Sequence, residues 1–433
     1  MNPLIVGLIG FGILFVLMFI GMPIAIAMGL VGFAGFVYLR DFESGLGLLT
    51  QVPYSTFASH PLSVVPLFIL MGAFCFHAGL SKDLYDTVHN WIGHFRGGLA
   101  MATVGACAGF AAVSGSSLAT AATMGTVALP EMRRYKYDPA LATGAVAAGG
   151  TIGILIPPSV ILIIYGIITE QSIGRLFLAG FIPGVLEAVF YIITIYILCK
   201  HNPLLGPPGP TTSFKEKIFS LKNTWIVLLL FVVVLGGLYL GVFTPTEAGG
   251  VGAFGAFVFA LARRKLNWQT FNESIREATK NTAMIFLILL GAMILGYFLA
   301  ISRLPFELAG IISGLEVNKY IILGLILLVY LFLGCLMSAM AMILLTVPIF
   351  FPIVTAIGFD PIWFGIVIVR VVEIASITPP VGMNVFVIKG VAKDVSMYTI
   401  FRGIIPFFIA DVCHVIMLIT VPQVCLFLPG LMR

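Results

Sequence analysis

The stretch TIGILIPPSVILIIYG, residues 151–166, decides how this chain folds. It is apolar enough to enter a bilayer, yet Pro157 and Pro158 interrupt it in the middle. Proline lacks the N–H group that an α-helix uses, and its ring clashes with the preceding turn. Inside lipid, the carbonyl groups freed by such a break need partners from within the protein. The pair therefore predicts a membrane helix that unwinds at this point.

The composition indicates an integral membrane protein. Of the 433 residues, 60% are hydrophobic and only 9% are charged, whereas soluble domains carry about 25% charged residues. The six cysteines show no CxxC spacing, so we interpret them as apolar packing residues and not as metal ligands or disulfides. The sequence predicts an all-α polytopic membrane protein.

Two apolar segments, 97–132 and 320–355, are longer than the roughly 20 residues that one spanning helix needs. Gly, Ser and Met lie near their centres, so each could be two short spans or a re-entrant hairpin. Basic residues, which favour the cytoplasmic side, flank the first segment on both sides and are sparser around the second. We therefore expect the two segments to enter the membrane from opposite sides.

A shift of 222 residues along the chain aligns prolines with prolines. The aligned pairs are Pro23 and Pro245, Pro130 and Pro352, Pro139 and Pro361, Pro157 and Pro379, Pro158 and Pro380, and Pro207 and Pro429. This periodicity predicts an internal duplication. The basic run at 133–136 aligns with an uncharged run at 355–358, which predicts that the two copies are inverted. Inverted repeats with broken helices in matching positions are typical of secondary transporters.

The duplication predicts three parts of the chain. The first inverted repeat covers 1–205, with a hairpin at 97–132 and a broken helix at 139–168. A proline-rich cytoplasmic linker follows at 206–223. The second inverted repeat covers 224–433, with a hairpin at 320–355 and a broken helix at 361–390.

The two broken helices predict two cation sites. Carbonyl groups freed before each proline pair, together with Ser or Thr hydroxyls from the facing hairpin tip, suit a small hard cation such as Na⁺. The predicted ligands at the first break are Ser114, Ser116, Gly153, Ile156 and Pro158. Those at the second break, within EIASITPPVGMNVFVIKG (373–390), are Gly334, Cys335, Ser338, Ala375, Thr378 and Pro380.

Arg370 has two interpretations from sequence. It lies three residues before Glu373, so the two could form a structural i,i+3 pair on one helix. Alternatively, Arg370 attracts an anionic substrate. Glu187 and Asp411 follow the similar motifs GFIP and GIIP, and we interpret both as packing or interface groups rather than proton relays.

Five motifs resemble the large membrane subunit of TRAP (tripartite ATP-independent periplasmic) transporters. They are GSSLATAATMGTVALPEM, GILIPPSVILIIYG, GVFTPTEAGGVGAFGA, MAMILLTVPIFFPI and ITPPVGMNVFVIKG, and the resemblance extends over essentially the whole chain. It implies the ion-transporter superfamily fold, in which a scaffold holds a mobile transport domain with two re-entrant hairpins and two broken helices. It also implies an elevator motion driven by a sodium gradient.

The resemblance also implies partners and a location. We expect a small membrane subunit of four helices, a periplasmic substrate-binding protein, the bilayer of the bacterial inner membrane and no nucleic acid. The substrate is expected to be an organic anion, a C4-dicarboxylate or a sialic acid. Its expected contacts are Ser116, Ser117, Thr120, Thr378, Asn384 and Arg370. Members of the family commonly carry an acid at the position of Ser338, so the second cation site is expected to be the more neutral one.

Two other functions are weighed beside this one. An intramembrane enzyme is disfavoured because HExxH and GxGD motifs are absent, and because the spans are expected to lack paired titratable residues. A stand-alone carrier or channel of the same superfamily would need no binding protein. The absence of GxxxxGK[ST] argues against ATP as the energy source. The hairpin tips do not distinguish one organic acid from another.

Overall fold

The computed structural model describes residues 2–314, 317–335 and 337–432, which form helices joined by turns and loops and contain no strand. Several of these helices are long and apolar enough to cross a membrane, by length and composition. Within the described ranges they are His60–His77, Ile173–His201, Pro245–Ala262, Trp268–Ser302, Ala339–Ala356 and Met397–Thr420. The prediction of an all-α protein with multiple membrane spans is confirmed.

The first half of the chain contains ten helices in its described residues. They are α1 (Pro3–Phe19), α2 (Ile24–Leu39), α3 (Phe42–Phe57), α4 (Val64–His77), α5 (Leu80–Ile92), α6 (Gly98–Ser114), α7 (Ser117–Arg134), α8 (Pro139–Thr151), α9 (Val160–Ile168) and α10 (Ile173–His201). The second half, as far as it is described, also contains ten. They are α11 (Phe214–Tyr239), α12 (Pro245–Ala262), α13 (Trp268–Ser302), α14 (Leu304–Ser313), α15 (Lys319–Gly334), α16 (Ala339–Ala356), α17 (Pro361–Ile377), α18 (Met383–Val391), α19 (Met397–Thr420) and α20 (Gln423–Leu431).

Both proline pairs interrupt a helix. After α8 ends at Thr151, a short 3₁₀ turn and the prolines lead to α9, which begins at Val160. In the second half, α17 ends at Ile377 and α18 begins at Met383. The breaks therefore lie where the sequence predicts them, while the inverted relation of the two halves stays a prediction.

The same cap begins the broken helix in each half. Asp138 Oδ1 accepts hydrogen bonds from two backbone N–H groups of the first turn of α8, at 2.9 and 3.1 Å. Asp360 Oδ1 does the same at the start of α17, at 2.8 and 2.9 Å. A proline follows each aspartate, where its missing N–H costs nothing. The repeated Asp-Pro pair thus has a local structural role.

Some helices lie where continuous apolar character does not predict them. Helix α5 carries charged residues on one face and buries Leu80 and Leu84 on the other, so it is amphipathic rather than apolar. Helix α11 begins inside the predicted linker, because Ser213 and Glu216 form a reciprocal capping box there. A search for apolar runs misses both features.

Small residues allow helices from the two halves to approach closely. A Cβ atom added at Gly144 of α8 would overlap the backbone of Gly403 on α19, and one at Gly403 would overlap Ala140. A second close approach joins α2 to α13, where a Cβ at Gly32 would lie 2.6 Å from the Leu295 nitrogen. Such contacts are typical of helix packing in membranes.

Candidate functional site

A cavity of about 620 Å³ lies between the tips of the two helical hairpins, α6–α7 and α15–α16. The first tip contributes Ser114, Gly115 and Ser116 to its wall. The second contributes Ser338 and residues of the first turn of α16. Helices α4 and α13, the first broken helix around Ile154, Val160 and Ile161, and the start of α18 also line it. Two tips that are far apart in sequence therefore share one space.

The N-termini of two helices face this cavity. Ser116 caps α7 and Ser338 caps α16, and each hydroxyl accepts a backbone N–H of the first turn at 3.4 Å. The first-turn residues Ser117, Leu118, Ala339 and Met340 line the cavity. The first N–H groups of a helix lack intrahelical partners, and its N-terminus carries partial positive charge. These two helix ends are therefore suited to an anion.

The first predicted cation site is assembled around the hydroxyl of Thr120. Its Oγ1 atom lies 2.9 Å from Ser114 Oγ and donates to the Ser116 carbonyl oxygen at 2.8 Å. A Cβ atom added at Gly153 would lie 3.1 Å from Thr120 Oγ1 and 3.3 Å from the Ser116 oxygen. Three oxygen atoms of the hairpin tip thus lie together, and Gly153 of the broken helix packs against them.

Glycine at position 115 closes the contact between this tip and the first break. Its φ of +58° is in the left-handed region, and a Cβ there would lie 2.8 Å from the Pro158 carbonyl oxygen. Ile156, the remaining predicted ligand, packs its side chain against Gly184 of α10. The structure brings Ser114, Ser116, Gly153 and Pro158 together. Ile156 lies beside them, at the contact with α10.

The second predicted site is arranged around Cys335. Its Sγ atom donates to the Pro379 carbonyl oxygen at 3.3 Å, which ties the second tip to the second break. The preceding Gly334 packs so closely on Ala375 that a Cβ there would overlap the Ala375 side chain. Thr378 Oγ1 donates to the Ile374 oxygen at 2.6 Å. Of the predicted set, Gly334 contacts Ala375 near the end of α17, Cys335 contacts the break at Pro379, and Ser338 lines the cavity.

The two breaks differ in exposure and in chemistry. Pro157 and Pro158 are buried, whereas Pro379 and Pro380 are exposed. The first tip presents hydroxyl oxygens, while the second presents a thiol at the matching contact. Hard cations prefer oxygen ligands. The first break therefore offers the more enclosed and more oxygen-rich environment.

Arg370 lies in a fully buried network that does not include Glu373. Its Nη1 atom lies 2.7 Å from Glu187 Oε1, and its Nη2 atom pairs with Asp411. The same guanidinium donates to the Tyr191 hydroxyl and to His414 Nδ1, each at 3.2 Å. The i,i+3 pair, one of the two interpretations of Arg370, does not form among the described residues, and the expectation that the spans lack paired titratable residues is wrong. The partners lie on α10 and α19, so no local spacing indicates them.

Only some of the residues predicted to contact the substrate line the cavity. Ser116 and Ser117 line the cavity, and Thr120 supports the first tip from within. Thr378 lies at the second break and Asn384 is buried, with its Nδ2 atom 3.5 Å from the Ala147 oxygen. Arg370 is not among the residues that line the cavity.

Two polar residues of α13 were missed from sequence. Glu277 and Asn281 line the cavity together with Met284, Ile285 and Ile288. This spacing of three and four residues places them on one helix face. Glu277 Oε2 also lies 3.5 Å from His77 Nε2 at the end of α4. The helical spacing of these residues is visible in the sequence, but no polar motif indicates that this helix face borders a cavity.

Known proteins similar to this chain are transport permeases and not enzymes. The family described as the tripartite ATP-independent periplasmic transporter, DctM component, matches residues 11–424. The C4-dicarboxylate TRAP transporter large permease protein DctM of Pseudomonas aeruginosa is 38% identical over 87% of this chain and 88% of its own length. The sialic acid TRAP transporter large permease protein SiaM of Vibrio cholerae is 34% identical over 96% of each protein.

A solved structure supports the fold at a greater distance. The YdaH transporter of Alcanivorax borkumensis superposes with a TM-score of 0.55 at 16% identity, covering 89% of this chain and 88% of its own. The family match and the two permeases together cover nearly the whole sequence. The chain therefore belongs to the DctM component family of the tripartite ATP-independent periplasmic transporters.

Proposed function

We propose that this chain imports an organic acid across the bacterial inner membrane, coupled to sodium ions. The substrate class is a C4-dicarboxylate or a sialic acid, as the names of the two permeases suggest. A periplasmic binding protein delivers the acid, and a small membrane subunit completes the permease. The observation that carries the proposal is the single cavity between two hairpin tips, into which two helix N-termini point.

The electrostatics of the cavity support the coupling to a cation. Among the described lining residues there is no Lys or Arg to neutralise a carboxylate. A helix N-terminus contributes about 0.3–1 kcal/mol, and up to about 2 kcal/mol when partly buried. Removing an ionised group from water costs several kcal/mol. Two helix ends alone do not offset that cost, whereas cations bound beneath the tips would.

The sodium ligands in this proposal come from the two junctions between hairpin tip and broken helix. The first uses Ser114, Ser116, Gly153, Ile156 and Pro158, and the second uses Gly334, Cys335, Ser338, Ala375, Thr378 and Pro380. The contacts of Thr120 with Ser114 and Ser116 support the first set, because a cation there would order the tip beside the substrate. The exposed second break supports a weaker second site.

We further propose an elevator movement of the helices that carry the cavity. The close packing of α8 on α19 supports movement of these helices as one unit. The buried network around Arg370 adds α10 and α17 to that unit. Helices α2 and α13, which pack tightly on each other, would form part of the scaffold. Glu277 and Asn281 would then be the scaffold face past which the cavity moves.

A reconstitution separates this proposal from a stand-alone carrier. The permease is placed in proteoliposomes with its small subunit, and uptake of labelled acid is measured with and without the binding protein. Uptake only in the presence of the binding protein supports the tripartite function. Equal uptake of the free acid without it would support the stand-alone carrier. A ligand screen on the binding protein then identifies the acid.

A further inference from the structure

Glu277 of α13 is the one charged side chain among the described residues that line the cavity. Its side chain is 45% exposed, and its Oε2 atom lies 3.5 Å from His77 Nε2 at the end of α4. His77 Nδ1 lies 4.0 Å from Glu273, one turn earlier on α13. One histidine therefore faces two glutamates, so this part of the wall carries net negative charge even when His77 is protonated.

The basic residues of the same helix do not offset this charge. Arg276 and Lys280 are close to Glu277 in sequence, but both are exposed and neither lines the cavity. Among the described residues, Glu277 forms an ion pair with His77 alone. A ligand in the cavity therefore meets the Glu277 carboxylate without a neighbouring Lys or Arg.

The hairpin tips have the opposite electrostatic character. Helices α7 and α16 begin there with partial positive charge, and their N-caps are the hydroxyls of Ser116 and Ser338 rather than Glu277. On α13 the lining face runs from Glu277 to Ile288, which is roughly 16 Å along the helix axis. The cavity therefore has one wall that attracts a carboxylate and another that repels it.

The size and the neutral polar groups of the cavity suit a ligand larger than a four-carbon acid. Its volume of about 620 Å³ lies within the range of about 300–1,000 Å³ that is typical of pockets for drug-sized ligands. Hydroxyl and amide groups, which both donate and accept hydrogen bonds, are spread over its wall. They belong to Ser114, Ser116, Ser117, Thr123, Asn281 and Ser338.

We propose that Glu277 selects against a second carboxylate, so that the transported acid has one carboxylate and several hydroxyl groups. The carboxylate of the acid binds at the hairpin tips, and a hydroxyl of its remote part donates to Glu277. A second carboxylate at that position would lack a proton to donate and would be repelled by the like charge. Because Glu277 acts on the bound acid, its role rests on the proposed function. Within that function it favours the sialic-acid class over the C4-dicarboxylates.

Two matched pairs of acids test the selection by charge. Succinate and γ-hydroxybutyrate differ only in a terminal carboxylate or hydroxymethyl group, and so do glucarate and gluconate. Binding of each acid to the purified permease with its small subunit is measured in sodium buffer from the shift in thermal unfolding. We expect the unmodified protein to bind each monocarboxylate more tightly than the matching dicarboxylate.

Glu273→Gln is the matched control for Glu277→Gln. Glu273 lies on the same helix, contacts the same histidine and is 49% exposed, but it does not line the cavity. In Glu277→Gln, binding of each dicarboxylate should improve about tenfold relative to its monocarboxylate partner, because the like charge is gone. Glu273→Gln should keep the ratios of the unmodified protein.

The outcomes separate the role of Glu277 from the proposed function. Tighter or equal binding of the dicarboxylates by the unmodified protein overturns the selection, and this comparison holds even if a variant folds poorly. Equal ratios in the two variants, or no binding of any of these acids, also overturn it. The proposed function fails only if the complete system, supplied with the acid that its binding protein recognises, shows no uptake in the presence of sodium.

Discussion

Arg370 Nη1 lies 2.7 Å from Glu187 Oε1, and neither side chain has any exposed surface. The pair joins α17 in the second half of the chain to α10 in the first, and Asp411 on α19 binds the same guanidinium. Removing one member of such a buried group leaves the others charged and unpaired, which is more harmful than replacing the whole group. The network therefore links α10, α17 and α19 to one another.

The first prediction concerns the stability of this network. Arg370→Met should lower the free energy of unfolding by about 3–5 kcal/mol, because Glu187 and Asp411 lose their counter-charge. Thermal unfolding in detergent measures the change. The control is Arg133→Met, whose pair with Asp394 is 2.8 Å long but 63% exposed on each side. That variant should change stability by about 0–1 kcal/mol, and similar losses in both variants would refute the structural role of the network.

The second prediction concerns the contact between Gly115 and Pro158. Gly115→Ala should abolish uptake, because its Cβ would lie 2.8 Å from the Pro158 oxygen and displace the first tip. Gly358→Ala is the matched control, since Gly358 also has a positive φ but no neighbour within 4 Å. Both variants carry similar backbone strain, of order 1 kcal/mol, and only the first adds a clash. Equal uptake by the two variants would show that the contact between Gly115 and Pro158 is not needed for transport.

The third prediction concerns the sodium dependence of the first site. Ser116→Ala should raise the sodium concentration needed for half-maximal uptake, because it removes a predicted ligand. Ser172→Ala is the control, because Ser172 also caps a helix and accepts a backbone N–H at 3.4 Å. Each variant therefore loses one N-cap hydrogen bond, which costs about 1 kcal/mol of helix stability. If both variants shift the sodium dependence equally, Ser116 acts only as a cap.

The fourth prediction concerns the cavity itself. Asn281→Phe should block uptake by filling part of the space between α13 and the hairpin tips. Asn281→Ala removes the same amide without filling the cavity and should retain uptake. Binding of the loaded binding protein, measured in parallel, shows whether the assembly remains intact. Normal uptake by Asn281→Phe would mean that substrate does not pass through this space, and equal failure of both variants would mean that loss of the amide, not filling of the cavity, stops uptake.

The features that sequence predicted well are those with local causes. The helix breaks follow from the missing N–H groups of Pro157, Pro158, Pro379 and Pro380, and the residues of each tip follow from their Gly and Ser content. Ser114, Ser116 and Gly153 lie close together, because the break and the tip are close in the chain, while their role as cation ligands stays a prediction.

The features that sequence did not predict depend on distant contacts. Arg370 meets Glu187 and Asp411 only after three helices have packed, and no spacing along the chain indicates which acids will reach it. Glu277 and Asn281 look like part of an ordinary amphipathic face until both hairpin tips are placed opposite them. The difference in burial between the two proline pairs likewise depends on the helices around them.

We propose that cations bound beneath the hairpin tips drive the import of an organic anion. The most direct measurement is uptake of the labelled acid into proteoliposomes with the binding protein and small subunit present, under an inward sodium gradient and after complete replacement of sodium by potassium. We predict accumulation against the concentration gradient of the acid with sodium, and none with potassium. Undiminished accumulation after sodium replacement would contradict the account.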